Sequence, residues 1–396
     1  MRSSDGTRAL GGLASGIALA MTMFVEAVGY GMVAPTLPFM ARRVGASERG
    51  IGLLVGLYAA VGLVAVIPLS ALANRYGRRF LILLGLVCLT VASLGFVVAP
   101  TYGWLVAARL VQGLAASAIW VGALTIAADL SPSDSMGQSL SWITGAWSLG
   151  FVVGPALGGL GEVSTPFVIY AALSTVALVS ALMGLKEAPR PRPRTTLRGI
   201  LDILRMPAVL VSAAATFTLS FYYGLVEAFL PLLISQAGAE RLAIGFLFAI
   251  AGLPSIVLPR AVGRAADRIG DVRLIVSGLL FAAALMAGFL PLFHAAPTWL
   301  VFLLVGMVEV FVYVPAVALL NRGVDSDGRI FATASHNYAF SAGFFLGPVV
   351  GGLAIPVGGF GLLFAVVTVV LLAGASLVVL AGRRLSAQKP RGSGQA

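Results

Sequence analysis

Twelve stretches, each about 20 or more mostly apolar residues long, follow one another along the 396-residue chain, separated by short charged or Gly/Pro-rich segments. Each is long enough to cross the hydrocarbon core of a bilayer as an α-helix. The first six run over residues 13–40, 50–72, 80–99, 102–128, 136–160 and 165–185, and the last six over 208–235, 242–263, 274–293, 298–320, 330–355 and 360–381. Composition agrees: apolar residues make up 59% of the chain and charged ones 10%, too little charge to solvate the surface of a soluble protein this large. The expected class is an all-α integral membrane protein with twelve transmembrane helices.

A net charge of +11 could point to nucleic acid, so the placement of the charges decides its meaning. With the N-terminus placed inside, 21 of the 26 Lys and Arg fall in segments on that side, while Arg42, Arg43, Arg49 and Arg241 fall outside and Arg109 lies within a helix. That is the positive-inside bias, which predicts cytoplasmic termini and a plasma-membrane location, the inner membrane for a bacterium. No nucleic-acid partner is expected. The start, with Arg2 and Arg8 before an apolar run, has the outline of a signal peptide. Cleavage would leave an odd helix count and invert the basic loops, so it reads as an uncleaved first span. The one cysteine, Cys88, can form neither an internal disulfide nor a multi-thiolate metal site, and it reads as a packing residue.

Sliding the sequence by 193 positions lays one half on the other. Pro38 falls on Pro231, Arg75 on Arg268, Gly77 on Gly270, Gly150 on Gly343, Gly154 on Gly347, Pro155 on Pro348, and Gly158 and Gly159 on Gly351 and Gly352. Six is even, so both halves enter the membrane with the same orientation, giving two six-helix bundles as a parallel repeat about a pseudo-two-fold axis along the membrane normal. The domains follow as 1–185, a Pro/Arg-rich cytoplasmic linker over 186–206 with an amphipathic helix around 197–204, and 207–396 with a basic tail.

Three motifs stand out against this frame. Between helices 2 and 3 lies Asn74-Arg75-Tyr76-Gly77-Arg78-Arg79, with its second copy at Asp267-Arg268-Ile269-Gly270. Helix 4 carries Arg109-Leu110-Val111-Gln112-Gly113, and helix 5 carries Gly150-Phe151-Val152-Val153-Gly154-Pro155-Ala156-Leu157-Gly158-Gly159. A guanidinium inside a membrane helix must face a polar cavity or an anion, or else snorkel to the interface, for which Trp104 would be the marker. Glycines at i, i+4 and i+8 clear one face of helix 5 for close approach of a neighbour.

Together these segments resemble the major facilitator superfamily across essentially the whole chain. In that family the first motif latches the cytoplasmic side, and Asn74 in place of the usual aspartate implies a weaker latch there than at Asp267. The ten-residue pattern on helix 5 is similar to the one the family associates with exporters that exchange substrate for protons. The resemblance therefore implies gating roles for Asn74, Arg75, Gly77, Arg78, Gly150, Gly154, Pro155, Gly158, Gly159, Asp267, Arg268 and Gly270. Helix 11 repeats the glycine pattern from Gly343 to Gly352, which reads as a relic of the duplication with a packing role.

An acid at the bilayer centre costs about 2.5–3.5 kcal/mol on insertion scales, so each one is a functional candidate. Three are present: Glu26 in helix 1, ~20 Å along it, Glu309 in helix 10, ~16 Å along, and Glu227 towards the outer end of helix 7, within reach of outer water. The repeat sets Leu219, Ala116 and Ala34 opposite Glu26, Glu309 and Glu227, so no acid is a duplicated feature. An apolar surround favours the protonated carboxyl and a nearby guanidinium the ionised one, so Glu26 paired with Arg109 would form a proton switch. Tyr30, Gln112, Trp120, Trp147, Tyr223, Tyr313 and Asn337 are the candidate lining for a substrate, through stacking, hydrogen bonds and cation–π contacts.

The expectation is a proton-coupled exporter of small amphipathic or cationic compounds working by alternating access, with protons, a small molecule and the bilayer as partners and a monomeric state. An uptake symporter on the same scaffold is the alternative. His294 and His336, the two histidines, lie near helix ends, and no Ser/His/Asp set or metal cluster is visible, so neither an enzyme nor a cofactor is expected.

Overall fold

The computed structural model describes residues 2–130, 136–187, 202–324 and 328–388. Among them only helices and turns occur, as the apolar pattern requires of backbone groups that have no water to bond to. The helices are α1 (Arg2–Gly31), α2 (Leu37–Arg43), α3 (Glu48–Tyr76), α4 (Arg78–Val97), α5 (Tyr102–Leu130), α6 (Met136–Gly158), α7 (Thr165–Gly184), α8 (Pro207–Gln236), α9 (Arg241–Val257), α10 (Pro259–Ile269), α11 (Asp271–Ala287), α12 (Phe289–Ala295), α13 (Thr298–Gly323) and α14 (Arg329–Gln388).

All twelve expected segments are helical within the described residues, but several are interrupted. The first span is not continuous to residue 40: the chain turns over residues 32–36, which include Pro35, and resumes as α2 with Pro38 in its first turn. The Thr36 hydroxyl closes this break, donating to the Met32 carbonyl at 2.6 Å and to that of Gly158 at 3.1 Å. The eighth span bends by 54° between α9 and α10, where Pro259 removes a backbone donor. The ninth is split at Gly288, and α14 holds the last two spans with a break at Gly358 and Gly359. By length and hydropathy alone, eight described helices qualify as spans, and nine with the bent pair. Much of the expected linker helix over 197–204 lies outside the described residues.

The chain divides into two compact units, Met1–Arg192 with Val226–Gly252, and Pro193–Leu225 with Leu253–Ala396. In the first unit α1 packs on α6 and α7, and α4 on α5 and α7. A Cβ at Gly154 would stand 2.5 Å from the Val28 carbonyl oxygen, and one at Gly150 would collide with that of Phe24. The helices therefore touch backbone to backbone, the packing that holds spans together where lipid supplies no hydrophobic contrast. In the second unit the same seam recurs residue for residue: Gly343 meets the Phe217 carbonyl, Gly347 that of Phe221, and Pro348 seats on Gly224 as Pro155 does on Gly31. Leu69, Ala73 and Leu81 form one buried cluster and their counterparts Val262, Ala266 and Leu274 another.

The two copies of the charged turn share a backbone. Gly77 and Gly270 take φ of 99° and 92°, a region that penalises any side chain. Their surroundings differ. At the first copy the Glu187 carboxylate accepts from the Arg78 and Arg79 amides, at 2.8 and 3.2 Å, and so caps α4. At the second, Arg322 at the end of α13 bridges Asp267 and Asp271, both at 2.9 Å. Asn74 is exposed and, among the described residues, makes no side-chain hydrogen bond, whereas Asp267 is anchored.

Candidate functional site

The first unit carries a buried polar cluster built from α1, α3, α5 and α6. Glu26, 2% exposed, accepts from the Tyr58 hydroxyl at 2.7 Å and from the Trp147 indole N–H at 3.0 Å. Arg109, 1% exposed, points inward, so the snorkelling orientation is excluded. Its Nη2 donates to the Val55 carbonyl at 3.0 Å, its Nε to that of Leu54 at 3.3 Å, and its Nη1 to Gln112 Oε1 at 2.8 Å. Turning α3 carbonyls toward α5 needs the helices to be close, and Gly113, whose Cβ would stand 2.8 Å from the Tyr58 carbonyl oxygen, makes that approach possible.

The expected direct pair of Glu26 with Arg109 is absent. Tyr58 stands between them: its hydroxyl serves Glu26 while the guanidinium lies over its ring, 4.9 Å from the centroid. Tyr58 was missed in the sequence because it sits among apolar residues of a span with no acid one turn away. The signal that could have found it is helical spacing. Tyr58 follows Leu54 and Val55 by one turn, the carbonyls that hold Arg109.

Aromatic rings surround the carboxylate. Trp147 stacks on Phe151 at 5.4 Å and 9°, Trp120 meets Trp147 edge-on at 6.0 Å, and Tyr30 lies 5.8 Å from Tyr58 and 5.9 Å from Phe151. The structure thus brings Glu26, Tyr30, Arg109, Gln112, Trp120 and Trp147 into one neighbourhood. Glu227 is 5% exposed, so it does not reach outer water from its own surface, contrary to expectation. Near it in the chain, Arg241 donates to the carbonyls of Gly158 and Gly161 at 2.9 and 3.1 Å, placing a cation at the C-terminus of α6.

In the second unit Glu309 of α13 accepts from the Tyr223 hydroxyl of α8 at 3.0 Å. Tyr313, one turn along α13, is 42% exposed and sets its ring edge-on to His336 of α14, 5.5 Å away. Asn337 is exposed. His336 lies near the start of α14, as expected, but it is buried, 5% exposed, and its Nδ1 lies 3.0 Å from both the Ser212 and Thr216 hydroxyls. Among the described residues no cluster of three or more His, Cys, Asp or Glu could hold a metal.

Residues 19–335 match the family model of the Major Facilitator Superfamily. Multidrug resistance protein 1 of Bacillus subtilis is 25% identical over 350 residues, covering 85% of this chain and 88% of that protein. The quinolone resistance protein NorA of Staphylococcus aureus is 28% identical over 181 residues, 45% of this chain and 46% of NorA. Among solved structures, a bacterial homologue of the human lysosomal transporter Spinster, inward-facing and occupied, aligns with a TM-score of 0.77 at 16% identity over 95% of this chain and 98% of that one. A peptide transporter in complex with sulfate aligns at 0.76 and 15% over 93% and 95%. At such identities the structures speak for the fold alone.

Proposed function

Because the chain belongs to the Major Facilitator Superfamily and is a multi-pass membrane transporter, we propose that it is a proton-coupled exporter of small amphipathic or cationic compounds. The observation that carries this reading is Glu26: a buried carboxyl held by neutral donors, with no cation bonded to it directly among the described residues and aromatic rings around it. An ionised carboxylate in so dry a place is costly unless a positive charge compensates it. A proton can supply that charge, and so can a cationic substrate resting against Trp147, Trp120 and Tyr30. The two then compete for one site, and competition is what makes exchange obligatory: the site opens from one face to the other only while it carries one or the other.

Arg109 sets the balance. Bonded to the Leu54 and Val55 carbonyls and laid over Tyr58, it is fixed close enough to favour ionised Glu26 without neutralising it. Glu309, with its tyrosine donor, is the second proton site, and Glu227, buried on α8, is a third acid within the spans. Tyr223, Tyr313 and Asn337 line the second unit's part of the substrate path. The glycine seams at Gly150, Gly154, Pro155, Gly158 and Gly159 let a bundle move as one body, and the turns at Asn74–Arg78 and Asp267–Gly270 act as cytoplasmic latches. The relatives named for multidrug and quinolone resistance support export rather than uptake. The same reading has the domains at 1–185 and 207–396, the termini in the cytoplasm, the protein monomeric in the plasma membrane, and no cofactor or chemical transformation.

The test is a liposome assay with ethidium as the aromatic cation and a pH-sensitive dye inside. An imposed proton gradient drives ethidium against proton movement in the wild type, and Glu26→Gln loses that dependence. Ethidium moving in the same direction as protons, or transport indifferent to both the gradient and Glu26→Gln, overturns the reading.

A further inference from the structure

Counted along the helices, the polar groups of the second unit form a descending series. Glu309 lies ~21 Å and Tyr313 ~15 Å from the Gly323 end of α13, and His336 ~10 Å from the Arg329 end of α14, at 1.5 Å per residue. These ends lie on one side of the membrane, since α13 and α14 run in opposite directions. The Pro207 end of α8 is on that side too, and by the same rise Ser212 and Thr216 fall ~8 and ~14 Å from it, at the level of the imidazole they touch. Tyr313 adjoins both neighbours in the series, one turn from Glu309 and edge-on to His336.

The imidazole is prepared for two charge states. Nδ1–H can donate to either hydroxyl at 3.0 Å in both the neutral and the protonated ring, so that bond survives a change of charge. The change then falls on Nε2, which is buried and has no hydrogen-bond partner among the described residues. A buried nitrogen left without a partner is destabilising, and a residue that only packs gives nothing in return for that cost. The repeat offset sets Leu19, Met23 and Ile143 where Ser212, Thr216 and His336 stand, so the arrangement belongs to the second unit alone.

We propose that His336, oriented by Ser212 and Thr216, is the relay through which a proton bound at Glu309 leaves toward the Arg329 end of α14. The inference rests on Glu309 being a proton site. The proton leaves the Glu309 carboxyl, passes by way of the Tyr313 hydroxyl and water to His336 Nε2, and is given from Nε2 to water on that side. The carboxyl becomes carboxylate, the imidazole becomes imidazolium and then imidazole again, and one proton has moved. On α14 and the helices packed around His336, the titratable groups are Glu309, Tyr313 and Arg322 of α13, Tyr222, Tyr223 and Glu227 of α8, Asp271 and Arg273 of α11, and Arg329, Tyr338, Arg383 and Arg384 of α14 itself. Arg322 is occupied by Asp267 and Asp271.

His336→Gln, Thr216→Val and Glu309→Gln in liposomes test this, with ethidium and the internal pH recorded together. His336→Gln is expected to slow gradient-driven ethidium movement and proton release at least about tenfold, the usual scale for loss of a proton-transfer group. Ethidium exchange at equal pH, which needs no net release, should stay within about twofold over about pH 6 to 8. Thr216→Val keeps the imidazole and is expected to shift the pH profile of the driven rate. Driven rates equal to wild type in both variants overturn the relay, and so does a loss in driven transport matched by an equal loss in exchange. If instead Glu309→Gln leaves coupling intact, the proton site itself is wrong and the relay falls with it. A coupling defect in Glu309→Gln beside a normal His336→Gln rejects the relay only.

Discussion

The two units are alike where helices touch and unlike where charge is buried. In both, glycines at the same two positions press on the carbonyls of the same partner helix: Gly150 and Gly154 on Phe24 and Val28, Gly343 and Gly347 on Phe217 and Phe221. Aromatic positions are partly shared as well, Tyr30 corresponding to Tyr223 and Trp120 to Tyr313. The ionisable side chains inside the bundles are not shared. Glu26 and Arg109 stand in one unit where Leu219 and Phe302 stand in the other, and Glu309 and His336 answer to Ala116 and Ile143. Duplication supplied a bundle that must pack in only one way, and divergence of its polar interior assigned different chemistry to each copy. The pattern follows from cost: a seam tolerates no new atom, whereas a cavity wall accepts any residue whose charge is compensated.

Substitutions can break this comparison, and the largest effect belongs to the seams. Gly154→Val and Gly347→Val should each cost about 3 kcal/mol or more, since the added carbons meet backbone oxygen. Thermal unfolding of detergent-purified protein should show both losses alike; a Gly347→Val protein as stable as wild type would separate the seams. Next come the acids, which should behave differently. Glu26→Gln abolishes gradient-dependent ethidium movement, while Glu309→Gln leaves ethidium binding but changes the number of protons exchanged per dye. Proton-to-dye ratios from the liposome assay check this, and identical ratios for the two variants would make the acids equivalent.

Smaller effects sharpen the picture inside the first unit. Tyr58→Phe removes the hydroxyl bonded to Glu26 but keeps the ring under Arg109. One hydrogen bond to a charged group is worth about 1.5–3 kcal/mol, so ethidium affinity should change roughly tenfold with fold stability nearly intact. Equilibrium dye titration reads the affinity, and an unchanged value would remove Tyr58 from the site. The smallest effect is expected at the exposed bridge of the second unit. With Arg322 52% and Asp267 64% exposed, Asp267→Ala, which leaves Arg322 on Asp271, should alter stability by less than about 1 kcal/mol, and less still at high salt. A larger, salt-insensitive loss in the melting curve would mark the bridge as part of the packing.

Hydropathy and the repeat made the helices legible, because a span must satisfy its backbone internally and cover itself with apolar atoms whatever surrounds it. The acids and Arg109 were legible for the converse reason, as charges too costly to leave in lipid. Breaks were less visible: Pro35 was in plain view, yet whether a proline bends, splits or is absorbed by a helix depends on what donates to the freed carbonyls, here the Thr36 hydroxyl, which serves Met32 and Gly158. His336 showed no period or motif, since its partners come from α8, more than a hundred residues away.

Residue order and composition alone settled that this chain lies in a membrane as helices, that its halves repeat, and which few ionisable side chains fall within spans, because those are properties of single segments in a low-dielectric solvent. Only the tertiary structure decided that Tyr58 stands between Glu26 and Arg109 and that two hydroxyls meet His336 on one nitrogen. Such pairings depend on helix rotation and separation to within an ångström, and those are fixed by small-residue contacts between distant segments rather than by the residues that make the pair.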